Sequence, residues 1–309
     1  MSIVSVVIPS RNELFVTQTI KDVLAKAGGE IEVIVIIDEN WPEEKIDDKR
    51  VTYIHPDHPK GMRWGVNTGV AQAKGEYLMK CDAHCMFMPG FDLALVADMQ
   101  PNWIVIPGRY SLDAANWCIL ENGKARRDYH YLCYPDAHKD HDLGMHGVEW
   151  QGMGHQHHDH KYDIDDTMSF QGSCWFMKKT WFTDFLGGMS EHGYGTFSQE
   201  PQEIGMKTWL GGGEIKVNKK VWYAHLHKGK QWGRMYHTNM REIVRGHNYS
   251  AWYWMNNSWE GQAHPISWFI NKFWPVPTWP EAWHADWDKA FAEWKEVFPK
   301  EAEGIEIRS

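Results

Sequence analysis

Two kinds of hydrophobic pattern alternate along the first part of the chain. "SIVSVVIPS" (2–10) and "IEVIVIID" (31–38) are short, β-branched and almost wholly apolar, the pattern of strands buried on both faces. Between them, "NELFVTQTIKDVLAKAGG" places Leu14, Ile20, Val23 and Leu24 at helical spacing and stops at Gly28-Gly29, as an amphipathic helix does. A strand–helix–strand unit implies a parallel sheet. The alternation continues with strands at 51–55, 76–82 and 103–112 and a helix over 62–75. Further on, 167–179 returns to strand, 200–213 to helix and 214–227 to strand. Residues 136–166, polar and Gly-rich with seven histidines, predict a long loop, and such loops are commonly functional. The last 80 or so residues predict a Trp-rich helical extension. There Trp283, Trp287, Phe291 and Trp294 recur at helical spacing, an aromatic face to dock on the core. Neither an internal repeat nor a low-complexity linker divides the chain.

Composition narrows the class. At 43% hydrophobic and 24% charged residues, the 309-residue chain can bury a substantial core. No apolar run reaches the roughly 20 residues that span a bilayer. The opening "MSIVSVVIPSRNE" lacks the n-region and h-region of a secretory leader. Five cysteines without a CxxC pair point to a reducing compartment, so the expectation is a cytosolic protein. A formal charge of −9 gives no general attraction for nucleic acid, though a local basic patch remains compatible with it. The 19 tryptophans serve either a heavy aromatic core or stacking surfaces for sugars or bases.

Two acids stand at predicted strand ends, Asp38 and Asp82, and open α/β sheets bind ligands beyond the carboxyl ends of their strands. Asp82 is followed two residues later by His84, in "CDAHC". On extended backbone such a pair points the same way and can hold one divalent cation. Taken alone, the spacing equally fits the polar residues of a turn.

The wider pattern resembles a family. "CDAHC", preceded by "AKGEYLMK", is similar to the D-x-H metal motif of GT-A fold glycosyltransferases, and in particular of the polypeptide N-acetylgalactosaminyltransferases. "SVVIPSRNE" followed by "VIVIIDEN" resembles the start of family 2 glycosyltransferases. "TMSFQGSCWFMKK" resembles their Gly-rich strand, and "FSQEPQEIGMKTWLGGGEIKVNKKVWYAH" the segment that ends in a metal-binding histidine. Counting on from Trp209, that histidine falls on His225. The resemblance spans about residues 3–227 in the expected order.

What it implies is a Rossmann-like GT-A domain with a mostly parallel central sheet over residues 1–227. Residues 228–309 would form a lid and helical extension packed on it. The implied activity is transfer of a hexose or pentose from a nucleotide sugar, expected to be a UDP-sugar, to a hydroxyl. Asp82, His84 and His225 would hold Mn²⁺, with Mg²⁺ as the alternative. Donor contacts would come from Pro9, Arg11, Asp38, Glu39, Arg63, Asp82, Gly172, Lys228 and Arg234, and Glu200 and Glu203 would be catalytic, near the sugar and acceptor. Retention of configuration is expected, as in the relatives; inversion would need a carboxylate base such as Glu200. Departures are visible: "TFSQE" replaces W-G-G-E, Met86 stands where the family has a second acid, and the Trp-rich extension stands where the family has a lectin domain.

Two segments admit a second reading. "HQHHDH" (155–160) fits either a lid over the donor or a second metal site for an ion such as Zn²⁺. From 228 to 245, five cations face only Glu242, and Trp252, Tyr253 and Trp254 follow. This suits a loop gripping the donor diphosphate. It also suits a groove for DNA in a transferase that glycosylates a hydroxymethylated base. The acceptor is therefore open among glycan, small molecule, protein and modified DNA base. A non-catalytic sugar- or nucleic-acid-binding protein on the same fold is the rival from another class.

Overall fold

The computed structural model describes residues 4–121, 125–135, 143–153, 162–297 and 299. Its centre is a ten-stranded sheet, ordered β10-β12-β6-β11-β4-β1-β2-β3, with β5 paired to β12 and β7 to β6. The strands are β1 (Val4–Ser10), β2 (Ile31–Ile37), β3 (Val51–Ile54), β4 (Tyr77–Cys81), β5 (Cys85–Phe87), β6 (Trp103–Asp113), β7 (Cys118–Ile119), β10 (Ile164–Asp166), β11 (Cys174–Lys178) and β12 (Glu214–His225). A separate ribbon pairs β8 (His130–Leu132) with β9 (Gly147–Glu149).

β1, β2, β3 and β4 run parallel, as do β6 and β12. β11 lies antiparallel between β4 and β6, so the sheet is mixed though mostly parallel. A strand buried on both faces has the same apolar pattern in either direction, and only its neighbours set its sense. α1 (Val16–Lys26) and α2 (Met62–Gln72) supply the predicted crossovers. Leu14 precedes the first turn of α1 and is 58% exposed; the stripe facing the core begins with Val16, Ile20 and Val23. Of the polar segment 136–166, the described parts contribute β9 and β10. The stretch "HQHHDH" lies outside the described residues.

One irregularity matters to the site. β12 follows β6 in register from Glu214↔Trp103 to Asn218↔Pro107, then resumes at Trp222↔Gly108. The looped-out residues shift the second half of β12, which then pairs with β5 at Tyr223↔Phe87, Ala224↔Met86 and His225↔Cys85.

Four helices follow: α5 (Gly229–Trp232), α6 (Met240–Met255), α7 (Ile266–Phe273) and α8 (Trp283–Val297); α3 (Phe91–Ala97) and α4 (Glu200–Leu210) come earlier. α8 buries Trp283, Trp287, Phe291 and Trp294, and the Trp279 indole N–H donates to the Leu132 carbonyl at 2.7 Å. Trp254 is fully buried, and Trp252 and Tyr253 pack half-buried against the same core. Of these three rings, which the sequence offers for stacking on a sugar or an exposed base, Trp254 is taken up wholly by packing and Trp252 and Tyr253 in part. Trp254→Ala should therefore cost about 3–5 kcal/mol, seen as a lowered midpoint in thermal unfolding followed by circular dichroism; an unchanged midpoint would mean that α6 is not part of the core.

Candidate functional site

The carboxyl ends of β1, β2 and β4 open into a cleft of about 770 Å³, the size and place expected for a small-molecule site. Asp82 follows β4 directly, and His84 ends the turn before β5. His225 is the last residue of β12, opposite Cys85 on β5. The ladder continues through the Leu226 N–H, which donates to the His84 carbonyl at 3.2 Å. Asp82-Ala83-His84 is thus a turn and also a pair of side chains aimed at one point.

Three lone-pair groups meet there. His225 Nε2 lies 3.1 Å from His84 Nε2 and 3.2 Å from Asp82 Oδ2, and His84 Nε2 lies 3.9 Å from the same carboxylate oxygen. A cation with ligands at about 2.1 Å sets neighbouring ligand atoms about 3.0–3.4 Å apart, according to whether its geometry is octahedral or tetrahedral. Two of the three separations match, and the third is slightly open. Burial pushes His225 down to about 3, against the pull of its hydrogen bond to Asp82. The ring is therefore neutral at physiological pH, the form that offers a lone pair. Converging acceptors repel unless a proton or a cation lies between them, and a carboxylate with two imidazoles suits a divalent cation.

Beneath this trio lies a buried lysine. Lys80 is 2% exposed, and its ammonium donates to Asp82 Oδ1 at 2.9 Å, Glu200 Oε2 at 3.1 Å and the Gly172 carbonyl at 2.5 Å. Burial opposes its charge, but the two carboxylates raise its pKa above the usual lysine value. Desolvation likewise works against Asp82, yet Lys80, with the hydrogen bond to His225, holds that carboxyl well below the ordinary range. The other Glu200 oxygen accepts from the Trp175 indole N–H at 2.7 Å. A Cβ at Gly172 would stand 2.8 Å from Glu200 Oε2, so glycine is what lets this carboxylate pack against the chain there.

Of the residues expected to bind donor, Pro9, Arg11, Asp38, Gly172, Lys228 and Arg234 line the cleft with Asp82. Asp38 accepts the Lys60 and Gly61 N–H groups at 2.6 and 2.9 Å. Lys228 is paired with Glu13 at 2.5 Å. Arg234 has no carboxylate partner among the described residues and lies over the Phe197 ring at 5.4 Å. Glu39 stands off the lining and holds Arg11 Nε at 2.9 Å.

Arg63 and Glu203 also stand off the lining, and the structure brings them together elsewhere. Arg63 is fully buried, pairs with Glu203, and donates to the Ser198 and Ser190 carbonyls. Glu203 further accepts from Lys207 at 2.8 Å and from the Ser190 N–H at 3.0 Å. The pair braces the 190–198 loop against α4. These three partners, Arg63, Lys207 and the Ser190 N–H, hold the Glu203 carboxylate away from the cleft lining.

Sequence reasoning missed Lys80, Glu13, Trp175 and Gln199. Lys80 carried a signal, a cation inside the apolar run "EYLMKC" two residues before Asp82. Gln199, a non-glycine residue at φ +60° before α4, lines the cleft, and its buried amide oxygen has no hydrogen-bond partner among the described residues; such left-handed strain gathers at functional sites.

The sequence profile of the family described as Glycosyl transferase family 2 matches residues 5–186, more than half of the chain. Among solved structures, GalNAc-T7 with UDP, GalNAc and Mn²⁺ is similar at TM-score 0.65 and 18% identity, covering 97% of this chain. This chain spans 57% of that one. S. aureus TarS 1-349 in complex with UDP-GlcNAc is similar at TM-score 0.51 and 15% identity, with 97% of this chain and 73% of that chain covered. At these identities the likeness is one of fold, and that fold is GT-A. No curated protein matches the chain significantly.

The buried cation makes a direct prediction. Lys80→Met strands Asp82 and Glu200 without their counter-charge and should cost about 3–5 kcal/mol. Because the folded pKa of Asp82 is depressed, its contribution to stability is present above the unfolded value of about 4 and lost as pH falls through the folded one. Removing Lys80 raises that folded value, so less stability depends on keeping Asp82 ionised, and the gap in unfolding midpoint between parent and variant should narrow as pH falls below about 4. Parallel curves would contradict the pairing.

Proposed function

The chain belongs to glycosyl transferase family 2, and on that footing we propose that it is a metal-dependent, retaining transferase that moves a sugar from a UDP-sugar to an acceptor hydroxyl. The observation that carries this reading is the convergence of Asp82, His84 and His225 within 4.8 Å of one another at the cleft. Mn²⁺ is the ion we propose for it. Bound there, the cation would stabilise negative charge developing on the departing diphosphate. Arg234, a cation of the cleft wall without a carboxylate partner among the described residues, would meet the same phosphates, as would Lys228. Pro9, Arg11 and Asp38 would shape the nucleoside end. Residues 1–227 would act as the catalytic core and 228–309 as its lid and extension. Among the described residues no helix is long and apolar enough to cross a membrane.

The engagement of the acids supports retention. An inverting transfer needs a carboxylate free to take the acceptor proton. Glu200 lines the cleft, but both its oxygens already accept, from Lys80 and from Trp175. Its role is then to hold the sugar side of the cleft in place. In a retaining transfer on one face, the anomeric carbon–phosphate oxygen bond breaks and the bond to the acceptor oxygen forms on the same side. The acceptor proton passes to the departing phosphate oxygen, so no separate base is required. The protein's part is positioning.

The reading is tested by nucleotide release from a panel of nucleotide sugars, with Mn²⁺ or with chelator. Release from a UDP-sugar that needs the metal and falls about 100-fold or more in Asp82→Ala is the expected result. Metal-independent release would refute the metal assignment. With an acceptor from the same screen, the product's anomeric proton coupling reports configuration, and an inverted product would overturn retention.

A further inference from the structure

We propose that Glu13 is a positioning residue of the metal site: it fixes the ring of His84 and ties that ligand to the 228–236 segment through Lys228. The inference rests on the metal reading above. His84 presents Nε2 to His225 and Asp82, and its other nitrogen, Nδ1, faces Glu13 Oε2 at 3.2 Å. The contact is off the ideal hydrogen-bond line, and no other partner for Nδ1 exists among the described residues. The two nitrogens point away from each other across the ring, so Glu13 cannot share an ion with Nε2. It can hold the Nδ1 proton, which leaves the Nε2 lone pair for a cation. This is how carboxylates behind metal-bound histidines orient them.

Glu13 is itself held. Its side chain is 10% exposed, and its second oxygen pairs with Lys228 Nζ at 2.5 Å. The backbone turns into place at Asn12, a non-glycine residue at φ +53°, whose side chain bonds Glu39 Oε2 at 3.0 Å and the Met235 carbonyl at 3.2 Å. Arg11 lies over the Tyr236 ring at 5.4 Å. Three successive residues after β1 therefore grip the segment that follows β12, and one of them also orients a ligand of the proposed ion. Order in that segment and order at the metal site are joined through one carboxylate.

The test is Mn²⁺ binding by calorimetry in the presence of UDP, for the parent and for Asp82→Ala, Glu13→Ala, Glu13→Gln and Glu13→Asp, each checked for folding by circular dichroism. Positioning predicts a loss of about 10–100-fold for Glu13→Ala. Glu13→Asp, which keeps the charge but withdraws it by one methylene, should lose affinity similarly. Glu13→Gln keeps an acceptor oxygen for Nδ1 and should stay within about threefold of the parent. If Gln falls as far as Ala, only the nearby negative charge mattered and positioning is overturned; unchanged affinity in Ala and Asp overturns it also. Should Glu13→Ala not fold, the Asp and Gln pair decides alone. A parent that does not bind Mn²⁺, or whose binding ignores Asp82→Ala, refutes the metal reading itself, and this inference falls with it.

Discussion

An ammonium buried as deeply as that of Lys80 cannot stand without counter-charge, because desolvating a lone cation costs several kcal/mol. The surrounding chain is arranged to answer that demand. Asp82 comes from the end of β4, Glu200 from the first turn of α4, and the Gly172 carbonyl from the segment before β11. Three distant parts of the sequence thus meet at one nitrogen. The Asp82 oxygen that Lys80 leaves free is the one facing His225. The lysine therefore determines which edge of the carboxylate is presented to the cleft, and keeps that carboxylate charged.

His225 reaches the same point by another constraint. The second half of β12 is displaced from its first register against β6 and pairs with β5. The break lies between Asn218 and Trp222, and beyond it, with His225 paired to Cys85, the two imidazoles lie with centroids 4.8 Å apart and planes tilted by 41°. Bulges are a common means of re-aiming a side chain beside a functional site. Here the displacement converts a local D-x-H turn into a three-sided site.

Charge around the cleft is largely committed within the protein. Lys228 holds Glu13, Arg11 holds Glu39, Asp38 holds two backbone N–H groups, and Glu200 is held twice. Arg234 lacks such a partner among the described residues, and Asp82, His84 and His225 converge on one point of the cleft. An anionic ligand bridging a cation fits what is left over. The aromatic C-terminal helices contribute packing behind this wall, as the burial of Trp254 and Trp294 shows.

The strand and helix order was legible because apolar runs and helical stripes depend on nearest neighbours and on burial, both written locally. The cluster of Asp82, His84 and His225 was legible in part, since Asp82 and His84 are two residues apart; His225 came from family resemblance, not from spacing. Glu203 and Arg63 show the limit of local reasoning. The sequence offers them with the cleft residues, whereas the structure pairs them with each other away from its lining. Lys80 and Glu13 were overlooked because their roles exist only across 120 and 71 residues of sequence. The direction of β11, the break in β12 and the partners of Lys80, Lys228, Arg11 and Asp38 were decided by tertiary structure alone. Sequence specifies which side chains must be buried or solvated, whereas the partner that satisfies a buried charge is settled only when distant segments compete for the same few ångströms.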